Sequence, residues 1–394
     1  MYDTELILSD GTRFPGCGFG QSAPEPNDLL ALDYDEAPIG ELVFNTGMGV
    51  YHEIITDPSY AGQAIVMTSP HIGNYGCSTE WNEMLDSKPP CKSVIVRDIY
   101  AGPVADSRRP LDTQCREWNL AGLSHVDTRA LTLHIRTNGN QYGVLVKRTD
   151  DLDEFLARII TWMEGCPPMV NRDFVTSSSL AQSHIFHPNN EVKARYALWD
   201  FGTKKSIIQQ LVQHDIEVTV FPCTVPLKDI FVEGHHFDAL FLSNGPGDPV
   251  TLSSHVDQLK LCIGIIPILG ICLGHQLAAL ALGAQTEKML FGHHGSNHPV
   301  RDLDSGRVYV TAQNHGYCVS KSTLPATTTL WLINDNDGSV EGLFDQVHRV
   351  MTVQFHPEAS PGPWEGRALF RRFTSWVARS GPAQKTTQEV PYAR

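Results

Sequence analysis

Cys272, in the segment Gly270-Ile271-Cys272-Leu273-Gly274-His275, is the residue of this chain best placed to act as a nucleophile. The run Ile265 to Leu269 before it reads as a short buried strand and Gln276 to Leu282 after it as an apolar helix, which puts the thiol on a strand-to-helix turn. Such an elbow needs small residues two before and two after the nucleophile, because the turn is tight and packs closely on its neighbours. A thiol there lies at a helix N-terminus, where partial positive charge favours the thiolate. The same segment reads equally well as a buried small apolar cysteine, so a partner base must decide. One is available in Gln354-Phe355-His356-Pro357-Glu358-Ala359-Ser360, after the apolar run Val350 to Val353. A histidine and a glutamate two apart at a strand end point the same way, so Glu358 can hold His356 in the tautomer that takes a proton from the thiol. Pro357 stiffens the pair. A third strand-loop unit, Ala239 to Ser243 then Asn244-Gly245-Pro246-Gly247-Asp248-Pro249, supplies backbone N–H groups free of side-chain bulk. Alone it reads as a Gly-Pro turn. Beside a thiolate attacking an amide carbon, the N–H of Gly245 would stabilise the oxyanion that forms.

All three segments fall at carboxyl ends of strands, where open α/β sheets place their sites. The elements around them support such a sheet. Tyr196 to Phe201 reads as a strand, followed by Gly202-Thr203-Lys204, a helix from Ser206 to Gln213 and a strand from Glu217 to Phe221. That β-α-β rhythm implies a parallel, doubly wound sheet with right-handed crossovers. Ahead of it, 2–8 and 12–19 read as a hairpin, 41–46, 64–68, 93–97 and 142–147 as strands, and 128–137 as a helix capped by Asp127. The expected organisation is an α/β chain: a mixed β/β/α domain over 1–150, an amphipathic helix and a Pro-, Ser- and Asn-rich linker over 151–193, and the doubly wound domain over 194–380. The polar tail 381–394 is expected to be disordered. Residues 21–38 read as an acidic surface loop.

A length of 394 residues with 41% apolar and 19% charged content can bury two ordinary cores. A net charge of −14 argues against nucleic acid or an anionic membrane as partner. The start Met1-Tyr2-Asp3-Thr4-Glu5 has neither a basic region nor a long apolar run, so a cytoplasmic protein is expected. The cysteines stand at 17, 77, 91, 115, 166, 223, 262, 272 and 318, with no C-x-x-C pair, which fits a reducing compartment better than a disulfide framework. His293, His294 and His298, with His315 to follow, invite zinc. Their Gly and Pro neighbours make no helical i, i+4 pair, so the reading taken is hydrogen-bonded loop histidines and no metal.

The set Asn-Gly-Pro-Gly-Asp-Pro, Gly-Ile-Cys-Leu-Gly-His-Gln and His-Pro-Glu-Ala-Ser resembles the class I (triad) glutamine amidotransferases, which release ammonia from glutamine through a thioester. Phe291-Gly292-His293-His294-Gly295, Asn297-His298-Pro299-Val300, Thr311 to Gly316 and Ser360-Pro361-Gly362-Pro363 narrow the resemblance to the small, glutaminase subunit of carbamoyl phosphate synthetase. Gly40 to Thr46, Thr56 to Tyr60, Pro70 to Asn74 and Val126 to Arg129 resemble that subunit's own N-terminal domain. The resemblance spans about 4–378.

It implies that Cys272 is the nucleophile, His356 the general base and acid, and Glu358 its orienter, with an oxyanion hole at Gly245 and Leu273. Glutamine would be held at Ser59, Gly245, Gly247, Leu273, Gln276, Asn314, Gly316 and Tyr317, and Ser59 would bring the N-terminal domain into the pocket. No cofactor is expected in this chain, which has no G-x-x-x-x-G-K-[ST] loop. The implied partner is a large synthetase subunit that uses bicarbonate, ammonia, two ATP and Mg to make carbamoyl phosphate for arginine and pyrimidine synthesis, in a heterodimer that can assemble further. Three other readings are a glutaminase of another amidotransferase, a cysteine hydrolase on a similar sheet and a silent regulatory subunit. Ser296, where the family usually has glycine, and Tyr317, where it often has phenylalanine, depart from the pattern.

Overall fold

Three strands of the first 150 residues, Thr4–Leu8, Ile39–Asn45 and Gln63–Met67, are buried on both faces, which a solvent-facing open sheet does not allow. The computed structural model, which describes residues 2–85, 88–169, 172–232 and 236–381, accounts for this. β1 (Thr4–Leu8), β2 (Arg13–Gly20), β3 (Ile39–Asn45), β4 (Gln63–Met67), β5 (Ser93–Ile95), β6 (Ala121–Ser124) and β7 (Tyr142–Lys147) close into a barrel of order β1-β2-β6-β5-β4-β3-β7. The run β3-β4-β5-β6 is parallel and the remaining pairs are antiparallel. Alternation along each strand explains the double burial. Leu6, Leu42, Val66, Ile95, Leu123 and Leu145 join one cluster. Their neighbours face the other way: Val43, Ile65 and Val94 pack on Tyr51 and Ile54, while Ile7 and Val144 pack on the helix Leu152–Glu164. Closure depends on β6, a strand of Ala-Gly-Leu-Ser with no β-branched residue, which composition does not announce. The helix Thr128–Asn138 is capped as expected, with Asp127 accepting from the Ala130 N–H. The acidic stretch 21–38 is more than a surface loop: it holds a short helix, Pro26–Leu29, and buries Leu29 and Ala37 against the Leu152–Glu164 helix cluster.

Two compact units result: Met1–Arg172 with Leu290–His294, and Asp173–Met289 with Gly295–Arg394. Main-chain hydrogen bonds from Asn140 to Leu290 and from Thr46 to His294 account for the short inserted segment in the first unit. Ser59 lies in this unit, buried on the turn Pro58–Tyr60, with its N–H on the Asp57 carboxylate.

In the second unit, β8 (His184–Phe186), β9 (Ala194–Asp200), β10 (Ile216–Pro222), β11 (Ala239–Leu242), β12 (Ile268–Ile271), β13 (Thr286–Asp302), β14 (Val308–Val319), β15 (Thr329–Asn334), β16 (Val340–Asp345) and β17 (Val350–Val353) form a sheet of order β14-β13-β15-β16-β17-β12-β11-β9-β10-β8. The segment from β10 to β17 is parallel and carries the doubly wound architecture. Antiparallel strands extend it at both ends. β8 comes from the stretch expected as linker: His184 to Phe186 pair with Val218 to Val220, so an open sheet edge recruits a short His-Ile-Phe segment of it. Among the described residues no helix is long and apolar enough to cross a membrane. The tail expectation for 382–394 lies outside the described residues.

Candidate active site

β12 begins three residues later than the apolar run suggests, because Pro267 has no N–H to give the ladder and the pairing starts at Ile268. The strand therefore ends directly against Cys272, and the helix Leu273–Leu282 starts on the next residue. Cys272 sits between them at φ 54°, ψ −106°, a backbone conformation unfavourable for a residue with a β-carbon. Its N–H bonds the Val353 carbonyl at 3.0 Å, and the Gly274 N–H bonds that of Ser243, also at 3.0 Å. Both elbow glycines are required by space. A β-carbon at Gly274 would fall 2.3 Å from the Leu242 carbonyl oxygen, and one at Gly270 would fall 2.8 Å from the Gly274 backbone. Gly274→Ala is expected to lower stability by roughly 2–3 kcal/mol through overpacking against backbone that cannot yield. Thermal unfolding checks this; an unchanged Tm would mean that the elbow tolerates a wider turn.

The Cys272 thiol is buried, with Sγ 3.5 Å from the Asn314 carbonyl oxygen, and the buried His356 Nε2 has no hydrogen-bond partner among the described residues. His356 Nδ1 is 2.6 Å from Glu358 Oε1, and that oxygen is 2.7 Å from Lys204 Nζ. Imidazole, carboxylate and ammonium thus stand in series, with the second imidazole nitrogen uncommitted. Burial opposes charge on His356, but the Glu358 carboxylate and the thiol outweigh it and hold the imidazole pKa above the ordinary histidine range. Burial would raise the Glu358 pKa, yet Lys204 and His356 keep it below the ordinary carboxylate range. His275, adjacent in sequence to the elbow, is no rival base. Burial drives its pKa down to about 3, and its Nδ1 is committed to Thr352 Oγ1 at 2.9 Å.

Gly245 packs against the Leu273 side chain. A β-carbon at Gly245 would meet the Phe201 carbonyl at 2.3 Å and Leu273 Cδ2 at 2.8 Å, so only glycine fits. Neither the Gly245 N–H nor the Leu273 N–H has a hydrogen-bond partner among the described residues. Gly247 takes φ 87° in the same loop. Across from it, β14 carries Asn314, Gly316 and Tyr317. Gln276 Nε2 reaches from the elbow helix to the Tyr317 carbonyl at 2.8 Å and to Gln354 Oε1 at 3.0 Å, fixing helix to strand. Gly316 faces open volume, since a β-carbon there would meet nothing within 4 Å. Behind β14, Gln313 and Asn334 both donate to Glu341, whose pKa burial pushes up to about 8 against those bonds.

Lys204 was not singled out by sequence reasoning. It is 1% exposed, donates to Glu358 and to the Ser360 carbonyl, and its own N–H bonds Asn244 Oδ1 at 3.0 Å.

Fold and elbow together define a class I glutamine amidotransferase unit. Residues 197–376 match the family "Glutamine amidotransferase class-I", and 6–145 match "Carbamoyl-phosphate synthase small chain, CPSase domain". The carbamoyl phosphate synthase small chain of Clostridium perfringens is 39% identical over 374 residues, which cover 95% of this chain and 99% of that one. That of Symbiobacterium thermophilum is 39% identical over 386 residues, covering 96% and 100%. The pyrimidine-specific small chain of Halalkalibacterium halodurans is 40% identical over 372 residues, covering 94% and 95%. The chain belongs to the carbamoyl phosphate synthase small-chain family.

Proposed function

We propose that this chain hydrolyses L-glutamine through a thioester on Cys272 and delivers the ammonia to a large synthetase chain, which makes carbamoyl phosphate from it with bicarbonate and two ATP. The observation that carries this reading is the buried His356–Glu358–Lys204 series, with His356 Nε2 uncommitted, in the same unit as the buried Cys272 elbow. Cys272 gives its proton to His356, whose raised basicity favours the transfer, and the sulfur attacks the side-chain carboxamide carbon. The N–H groups of Gly245 and Leu273 hold the oxyanion. His356, now an imidazolium, protonates departing ammonia, and the same ring then activates the water that releases glutamate. Gly247, Gln276, Asn314, Gly316 and Tyr317 would hold the amino acid, with main-chain groups meeting its carboxylate and ammonium. The chain itself would need no cofactor; ATP and Mg belong to the partner, and the product would feed arginine and pyrimidine synthesis.

Acid quenching during turnover is expected to trap a γ-glutamyl adduct on the Cys272 peptide, read by mass spectrometry. Adducts from peptides or simple esters but not from glutamine would place the chain among other cysteine hydrolases. Gly316→Ala is expected to leave Tm unchanged and raise KM for glutamine, because its methyl group enters open space that the substrate would use.

A further inference from the structure

Asp200 is the last residue of β9, and its side chain is 1% exposed. Its carboxylate accepts five hydrogen bonds, divided between its two oxygens. Oδ1 takes the Gly202 N–H at 3.0 Å, the Thr203 N–H at 2.8 Å and the Thr203 hydroxyl at 2.7 Å. Oδ2 takes the Leu180 N–H at 2.7 Å and the Ser179 hydroxyl at 3.2 Å. The first set winds the chain into a turn, with Gly202 at φ 117°, and the next residue out of that turn is Lys204. The second set fastens the segment after the short helix Val175–Ser178 to the same point. From this turn the Lys204 side chain runs buried to Glu358, which in turn orients His356.

We propose that Asp200 is a positioning residue for the chemistry at Cys272, acting through the Gly202–Lys204 turn on Lys204, Glu358 and the imidazole, and braced by residues 179 and 180. This rests on the glutamine-hydrolysis reading of the site. Asp200 touches neither Cys272 nor His356 in any hydrogen bond; what it sets is the origin of the lysine that fixes Glu358. A buried side chain reaching a carboxylate at 2.7 Å has little slack, so a small shift of its backbone moves Nζ off the carboxylate. Asp200→Asn keeps an acceptor for one set of donors but turns an N–H₂ group toward the other, so one side of the brace must open.

The full chain carrying Asp200→Asn is to be assayed for glutamine hydrolysis, with competent sites counted by a diazoketone analogue of glutamine that alkylates the thiol. The expected result is a kcat per titrated site lower on the order of 10- to 100-fold, the scale for misplacing catalytic groups from a distance, with KM for glutamine within about twofold since no glutamine contact is removed. Wild-type kcat per site, with only the number of sites or the Tm reduced, would overturn the proposal and leave Asp200 a structural residue. If Asp200→Asn does not fold, Thr203→Val removes one donor to Oδ1 while keeping the side-chain shape. A several-fold loss of kcat per site at constant KM is then expected, as for one buried hydrogen bond, and an unchanged kcat per site overturns the proposal. Cys272→Ser run alongside separates the two failures: if it still hydrolyses glutamine, the functional reading fails; if it is inactive while Asp200→Asn is fully active per site, only this inference fails.

Discussion

Replacing Cys272 with serine is expected to lower glutamine-dependent carbamoyl phosphate synthesis by on the order of 10³-fold or more while leaving ammonia-dependent synthesis at its native rate. The size of the loss follows from the chemistry at one atom. A serine hydroxyl holds its proton far more tightly than a thiol, and His356 is tuned by Glu358 to receive a proton from sulfur. The selectivity follows from the proposed division of labour, because added ammonia bypasses the thioester and needs only the partner. Both rates are measured on the assembled complex, with glutamine and with ammonium as alternative nitrogen sources. Equal loss of the two would mean that the substitution breaks assembly. Retained glutamine hydrolysis would remove Cys272 from the mechanism. Serine is nearly isosteric, and the strained φ of 54° at this position is no worse for it than for cysteine, so the fold should hold.

The three segments that carry the chemistry were readable because each is local. An elbow, a His-x-Glu pair and a Gly-Pro loop declare themselves within six or seven residues, and each follows a strand that its apolar run announces. What stayed hidden is what depends on distant partners. Lys204 and Glu358 stand 154 positions apart, and nothing near either names the other. The helix at the elbow starts at Leu273 rather than Gln276, since Gly274 and His275 look like turn residues until the packing of Gly274 on the Leu242 carbonyl is known. That difference matters to the chemistry, as it leaves the Leu273 N–H in the first helical turn, where no carbonyl four residues back can take it. The barrel was likewise illegible as a barrel. Its strands were found one by one, but closure turns on β6, whose four residues carry no strand signal, and on pairings such as β1 with β7 across more than 130 positions. β8 shows the same limit from the other side, a largely exposed His-Ile-Phe triplet inside a polar stretch made into a strand by the free edge of β10.

Lys204→Met is the second substitution with a large expected effect, and its pH dependence identifies the cause. Methionine matches the length and most of the volume of lysine, so the cavity left is small and the loss is electrostatic. Removing one partner of a buried pair strands the other, at a typical cost of about 3–5 kcal/mol. Glu358, 0% exposed, would retain only His356 to offset its burial. Its pKa in the native chain lies below the unfolded value of 4.5, so the stability it contributes is fully present above that value and is lost as pH falls through the lower, native pKa. The Tm gap between native protein and Lys204→Met should therefore be widest above about pH 5 and narrow in acid, because protonated Glu358 no longer needs the lysine. A gap of constant size from pH 7 down to pH 4 would instead show that the four-carbon stem acts by packing. Activity adds an independent check. With Glu358 pushed toward its neutral form, the imidazole loses the carboxylate that raises its pKa, so kcat for glutamine should fall while KM changes little. Lys204→Arg should not restore it, since a guanidinium is wider and has no room in a site 1% exposed.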